Sequence, residues 1–285
     1  MFKPDNEMTG SSNYQPGMVA QHFDESGLQE WDRLTKTPVD EVSLFIHTHY
    51  LMKHISKGDR VLEVGAGAGR FTQILAGLDT QITVADISRV QLDLNKRFAL
   101  QYKFAQAVVS WQQVDICEMT CFEPGSYDCV VAYGGPLSYA MDQRDLALSE
   151  CLRVLKPGGL LLLSVMSLWG TAHAALNSVL KLPAATNQKI IHTGDISPTT
   201  FPERKNNFMH MFRASELLKW LEKRGLMVLE RSASNCISLT WNEIMTQIRD
   251  ETEKWNELLR MELEACAEEG CLDMGTHLVV VVKKL

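Results

Sequence analysis

The chain has 285 residues and a formal charge of −7, with 45% hydrophobic and 22% charged residues, enough for one large α/β domain with insertions or two small ones. No basic block supplies the Lys/Arg footprint of a tight nucleic-acid binder, and the longest apolar run, 160–166, is far too short to span a bilayer. Residues 1–10 lack the apolar core of a signal peptide, and the seven cysteines form no C-x-x-C pair, so reduced thiols in a cytoplasmic protein are expected and a metal site is not.

Residues 1–20, rich in Asn, Ser, Gly, Pro and Thr, read as a flexible lead-in. Residues 21–34 place His22, Phe23, Trp31 and Arg33 among acids. Thr37-Pro38-Val39-Asp40 is then a helix start, with a capping hydroxyl, a proline in the first turn and acids at the positive helix end. Val42, Phe45, Ile46, His49 and Met52 give that helix its stripe, which ends near Lys57-Gly58. His47 and His49 are two apart and face different directions, a poor arrangement for a metal pair.

The stretch 60–72 organises the rest. A strand-type run, 60–64, leads into glycines at 65, 67 and 69 and then into a helix with Phe71, Ile74, Leu75 and Leu78 on one face. Strand, glycine turn and helix begin a nucleotide-binding βαβ unit, in which the free N–H groups of the helix start face an anionic group. A dinucleotide fingerprint needs a third glycine at position 70, where this chain has Arg70. The pattern Glu63-x-Gly65-x-Gly67-x-Gly69 resembles motif I of the class I S-adenosylmethionine-dependent methyltransferases. By that resemblance Glu63, Gly65, Ala66, Gly67 and Gly69 surround the methionine half of S-adenosyl-L-methionine, whose ammonium an acid suits and whose lack of phosphate spares it repulsion.

A β-branched run, 81–85, ends at Asp86, 23 residues beyond Glu63. An acid there accepts the ribose hydroxyls in such folds, or caps the next helix together with Ser88. The resemblance sets Ile87 beside the adenine, and it makes Asp115 the acceptor for the adenine amino group with Ile116 packed on the ring. Residues 127–133 read as the fourth strand, and ligands lie outside the carboxyl ends of such strands. Tyr133 and the run Gly134-Gly135-Pro136-Leu137-Ser138-Tyr139 therefore fall where cofactor and acceptor meet; Tyr139 offers an aromatic wall and a candidate catalytic hydroxyl. A helix over 142–155, a sharp turn at Lys156-Pro157-Gly158-Gly159 and a buried strand over 160–165 resemble the family's passage into strand five.

From 167 to 212 the pattern breaks: 169–182 reads as one helix with Ala172, Leu176 and Val179 inward, and 183–207 shows little periodicity. So long an insertion usually carries function. In this family it lies over the cofactor and shapes the acceptor pocket, which by resemblance gathers Trp31, Arg33, Tyr139 and His173, with His210 the preferred general base. A helix over 214–224, strand six over 226–230, a long helix over 241–266 and a final strand over 276–282 complete the chain. The helix interrupts what is normally a hairpin and suggests a second pocket wall or a homodimer surface.

The resemblance implies a Rossmann-like seven-stranded class I methyltransferase sheet with helices on both faces. Residues 1–57 would form an arm or lid and 58–285 the methyltransferase domain, with a substrate cap at 167–212 and a helical insertion at 241–269. It also implies in-line methyl transfer to a small-molecule acceptor. Three alternatives stay open: a nicotinamide-dependent oxidoreductase, a non-catalytic S-adenosylmethionine-binding protein, and an arsenite-type methyltransferase using Cys117, Cys121, Cys129 and Cys151.

Overall fold

The computed structural model describes residues 12–198 and 208–285. The arm consists of α1 (Pro16–Ser26), the single turn α2 (Gln29–Asp32) and α3 (Pro38–His54). Part of the expected lead-in is thus helical from Pro16, which fits a helix start where its missing N–H costs nothing; residues 1–11 lie outside the described residues. α3 begins as expected, with a capping box between Thr37 and Asp40.

The domain proper runs β1 (Arg60–Val64), α4 (Arg70–Gly77), β2 (Gln81–Asp86), α5 (Arg89–Gln101), β3 (Val108–Gln113), β4 (Tyr127–Ala132), α6 (Pro136–Tyr139), α7 (Arg144–Val154) and β5 (Leu155–Met166). The cap follows as α8 (Leu168–Ala174), α9 (Leu176–Val179), α10 (Ala184–Thr193) and a two-stranded ribbon of β6 (Asp195–Ile196) and β7 (Met209–His210). The chain closes with α11 (Ala214–Glu222), β8 (Met227–Ala233), α12 (Asn242–Ile248), α13 (Thr252–Ala267) and β9 (His277–Lys283).

Seven strands form one sheet in the order β3-β2-β1-β4-β5-β9-β8, parallel except for β9, which runs antiparallel to both its neighbours. The strand residues sort by the two-residue period of a strand. Leu62, Val64, Val130, Ala132, Leu161, Leu163 and Val280 face the core under α7 and α11, whereas Val61, Cys129, Val131, Leu162 and Val281 face the core under α3, α4 and α13. Burial on both faces is why the central strands read as continuous apolar runs. Among the described residues no helix is long and apolar enough to cross a membrane.

Four local expectations differ from the structure. Lys156-Pro157-Gly158-Gly159 does not stand apart as a turn but lies within β5 as a bulge, where the register steps from Tyr127↔Leu155 to Cys129↔Leu160. The single helix expected over 169–182 breaks at Ala175. Residues 184–193 are helical, and α10 buries no residue fully, so its sequence carries no core stripe to announce it. The helix expected over 241–266 divides at 249–251.

Candidate cofactor and acceptor site

The carboxyl ends of β1, β2 and β4 open onto a cavity roofed by the arm. Its lining includes Gly65 to Phe71, Asp86, Ile87, Ile116, Tyr133, Gly134, Pro136 and Tyr139, together with Tyr14, Phe23, Glu30 and Arg33 from the arm. The glycine loop is needed where it is found. Gly65 sits at φ 69°, and a Cβ there would meet Pro136 Cβ at 3.1 Å; Gly69 sits at φ 101°, and a Cβ there would lie 2.8 Å from Asn95 Nδ2.

Asp86 ties the loop to the second strand. Its carboxylate accepts the Gly67 N–H at 2.8 Å and the Ser88 N–H at 2.8 Å. Burial raises its pKa, N–H bonds to the carboxylate oppose the rise, and the value is about 6. The ribose and capping readings of Asp86 are compatible, because the capping hydroxyl of α5 is that of Ser88, which accepts the Gln91 N–H.

Glu63 is placed differently from the expectation. It does not line the cavity but is buried behind the loop, where it accepts the Thr72 hydroxyl at 2.6 Å. Desolvation raises its pKa to about 8, so it is largely protonated at neutral pH and presents no charge to an ammonium. It instead begins a chain of hydrogen bonds: Asn95 donates to Thr72 Oγ1 at 2.9 Å, and Trp111 Nε1 donates to Asn95 Oδ1 at 2.9 Å. Thr72, Asn95 and Trp111 escape a motif search; the signal for Asn95 is a polar residue on the buried side of α5.

Asp115 is likewise set back from the cavity. Its Oδ1 accepts the Tyr14 hydroxyl at 2.6 Å and the Cys117 N–H at 2.8 Å, and it is Tyr14, with Ile116 and Val114, that faces the cavity. The arm is pinned elsewhere too. Asp24 accepts the Ser88 hydroxyl, and Gln91 Nε2 donates to the carbonyls of Phe23 at 2.9 Å and Gly27 at 3.0 Å. Arg70 donates from Nη2 to the Trp31 carbonyl at 2.7 Å and lies 3.9 Å from the centre of the indole. Trp31 itself packs on Phe98 and Tyr102, away from the cavity it was expected to line, because those rings and Arg70 offer it a more complete apolar and cationic seat.

Arg33 faces the cavity beside Gly134 and pairs through Nε with Glu30 at 2.9 Å. Below it lies a buried aromatic group. Tyr133 packs edge-on to His47 at 4.8 Å and Phe71 at 5.2 Å, and its hydroxyl is buried without a hydrogen-bond partner. His47 donates through Nδ1 to the Ser43 carbonyl, 2.7 Å away, and burial lowers its pKa to about 4. Burial, reinforced by Arg33, puts His277 well below its ordinary value. Both imidazoles are therefore neutral at physiological pH. Tyr139 stands edge-on to Phe23 at 5.1 Å, so the arm also covers this residue.

His210 is not placed to act as a base. Its Nδ1 meets Asp195 at 2.7 Å and its Nε2 meets Glu216 at 2.8 Å, outside the lining of the cavity. Burial opposes its charge, but the two carboxylates outweigh burial and raise its pKa, so both ring nitrogens are committed to a clamp between the ribbon and α11. His173 lies on the cap, exposed, at the edge of a separate apolar chamber and not in the cavity with Arg33 and Tyr139.

A family model described as Methyltransferase domain matches residues 61–159, the segment from β1 to the bulge of β5. The ubiquinone biosynthesis O-methyltransferase of Xanthomonas euvesicatoria is 25% identical over 171 residues, 60% of this chain and 64% of that protein. The chain thus spans just under two-thirds of the length of this relative. Among solved structures, the 1,6-didemethyltoxoflavin-N1-methyltransferase of Burkholderia thailandensis, with 1,6-didemethyltoxoflavin and S-adenosylhomocysteine bound, is 14% identical with a TM-score of 0.56, covering 94% of this chain and 88% of its own. The (4+2)-cyclase SpnF is 22% identical with a TM-score of 0.53, covering 83% and 79%. These similarities share one fold across different chemistries, and the matched motif and strand order agree with it. Residues 61–159 match a methyltransferase domain, and together with the fold these similarities support a class I S-adenosylmethionine-dependent methyltransferase.

Proposed function

We propose that this chain transfers a methyl group from S-adenosylmethionine to a small-molecule acceptor. The observation that carries the reading is the lip of the cavity, where the Asp86 carboxylate braces Gly67 while Arg70 occupies the position a dinucleotide site reserves for glycine. The residues fit the cofactor. Asp86 has lone pairs left for ribose hydroxyls, Ile87, Val114 and Ile116 give the adenine an apolar slot, and Arg33 supplies a cation for the methionine carboxylate. Tyr133 lines the same cavity, and its hydroxyl is buried without a hydrogen-bond partner.

When bound, S-adenosylmethionine supplies an electrophilic methyl group for in-line displacement by an acceptor atom. The protein's part is to orient and to keep water out. α1 closes over Tyr139, the Tyr14–Asp115 bond closes the adenine side, and Arg70 holds the arm down on α5 through Trp31. With His210 committed elsewhere, no histidine lines the cavity among the described residues, which favours an acceptor that is already nucleophilic or sheds its proton to water. The formal charge of −7 fits a small molecule better than nucleic acid, and seven unpaired cysteines fit a cytoplasmic setting.

Methyl-labelled S-adenosylmethionine offered with a panel of phenols, carboxylic acids, amines and thiols tests this. Label appearing in an acceptor product supports it. Tight binding of the cofactor with no labelled product from any acceptor would turn the reading to a binding protein.

A further inference from the structure

The cap holds a second chamber that cofactor recognition does not use. Its volume is about 680 Å3, and it lies among α8, α9, α10 and the β6–β7 ribbon. Leu168, Leu176, Val179, Ile190, Met209 and Met211 are among its walls, and among the described residues no Asp, Glu, Lys or Arg lines it. A chamber of this size is typical of small-molecule sites, roughly 300–1,000 Å3, which are mostly apolar with a few placed polar groups. Three of its walls are methionines, Met166, Met209 and Met211, whose unbranched side chains adapt to irregular ligands.

Two observations connect this chamber to a ligand. Thr171 lines it, and the Thr171 hydroxyl is buried without a hydrogen-bond partner, a cost that a ligand oxygen would remove. The chamber also shares a partition with the cofactor cavity. Met166 lines the chamber and Tyr139 lines the cavity; both pack on the cluster of Leu168, Met209 and Met211, and both stand against Gly135, within 3.7 Å of where its Cβ would be.

We propose that the cap chamber seats the acceptor, and that the acceptor is a largely apolar molecule with one hydroxyl or carbonyl oxygen that pairs with Thr171. This rests on the methyl-transfer reading for the identity of the ligand as acceptor, but the chamber's chemistry stands apart from it. Walls without Asp, Glu, Lys or Arg among the described residues suit an uncharged ligand better than an acidic peptide or nucleic acid, and one unpaired hydroxyl suits a molecule with one polar handle. Movement of Tyr139 and Met166, the shared partition, would bring that handle to the cofactor side.

The test uses the full chain and an uncharged apolar fluorophore, N-phenyl-1-naphthylamine, displaced by 4-hexylphenol and by hexylbenzene. Fluorophore uptake is expected, both compounds displace it, and the phenol is favoured roughly fivefold, as one neutral hydrogen bond gives. Thr171→Val removes that preference and leaves hexylbenzene unchanged. Ala172→Trp, which fills the chamber, weakens both at least severalfold while calorimetric binding of S-adenosylmethionine is retained; Leu176→Gln, at a half-exposed wall position, is a second variant with the same expected direction. No uptake by the wild type, uptake indifferent to both wall substitutions, or a phenol preference that survives Thr171→Val would overturn the proposal. Fluorophore uptake with the expected variant effects but no S-adenosylmethionine binding would leave the chamber standing and sink the methyl-transfer reading.

Discussion

Along β1, β2 and their following helices, polar groups hold one another in place: Glu63 to Thr72, Thr72 to Asn95, Asn95 to Trp111, and Asp86 to Gly67 and Ser88. The second cavity is walled mainly by Leu, Ile, Val and Met within 166–196 and 209–211, and Thr171 offers an unpaired hydroxyl. On the proposed reading the first region recognises its ligand by direction and the second by shape. A hydrogen bond demands a particular atom at a particular place, whereas apolar contact accepts many side chains of similar volume.

Substitutions can break this contrast. The largest effect is expected from Asp86→Ala, which removes charge-assisted hydrogen bonds and the brace on Gly67. S-adenosylmethionine should bind roughly a hundredfold more weakly or not measurably by calorimetry, with fluorophore uptake by the cap unchanged. If both fall together, the two regions are one cooperative site. Next comes Gly69→Ala. Its Cβ would lie 2.8 Å from Asn95 Nδ2 at a φ of 101°, so thermal unfolding should reveal a loss of about 1–3 kcal/mol together with weakened cofactor binding.

Acidity acts on cofactor affinity at Asp86 and on stability at both Asp86 and His210. Asp86 has a folded pKa of about 6, above the usual 3.8, so the carboxylate that would hold the ribose is lost on going from pH 7 to pH 5. Cofactor affinity should fall roughly tenfold over that interval, measured by calorimetry at each pH. The same raised pKa makes ionised Asp86 a cost to the empty fold, so its contribution to stability declines as pH rises through about 6. The smallest effect is expected from His210→Gln. The His210 pKa is raised above 6.5, so its clamp contributes fully below 6.5 and is lost as pH rises through the folded value. The substitution should cost about 1 kcal/mol at pH 6, less at alkaline pH, and leave S-adenosylmethionine affinity intact.

What was legible in the chain follows the same division. The succession of strands and helices from 60 to 113, the glycine loop, and the place of Asp86, Ile87 and Tyr133 on one cavity were readable because period and turn geometry restrict those positions. The roles of Glu63 and Asp115 were not, since an acid beside a loop points toward the ligand or away from it with equal sequence signal, and here Thr72 and Tyr14 hold the two carboxyls back. Trp31 and His210 misled for a related reason: their partners, Phe98 and Arg70 for one, Asp195 and Glu216 for the other, are brought by tertiary contact. α10 left no trace because a helix without a buried face has no stripe. A pocket shaped by the 167–212 insertion was expected, but its walls were not legible, being mostly ordinary apolar residues brought together only by the fold.

The central claim is that the cavity at the glycine loop is built for S-adenosylmethionine. Calorimetric titration of the wild-type chain with S-adenosylmethionine, S-adenosylhomocysteine and NAD puts that claim at most direct risk. Micromolar binding of the first two with none of NAD is the predicted result. Binding of NAD without either of the others would contradict it and return the loop to a nicotinamide site.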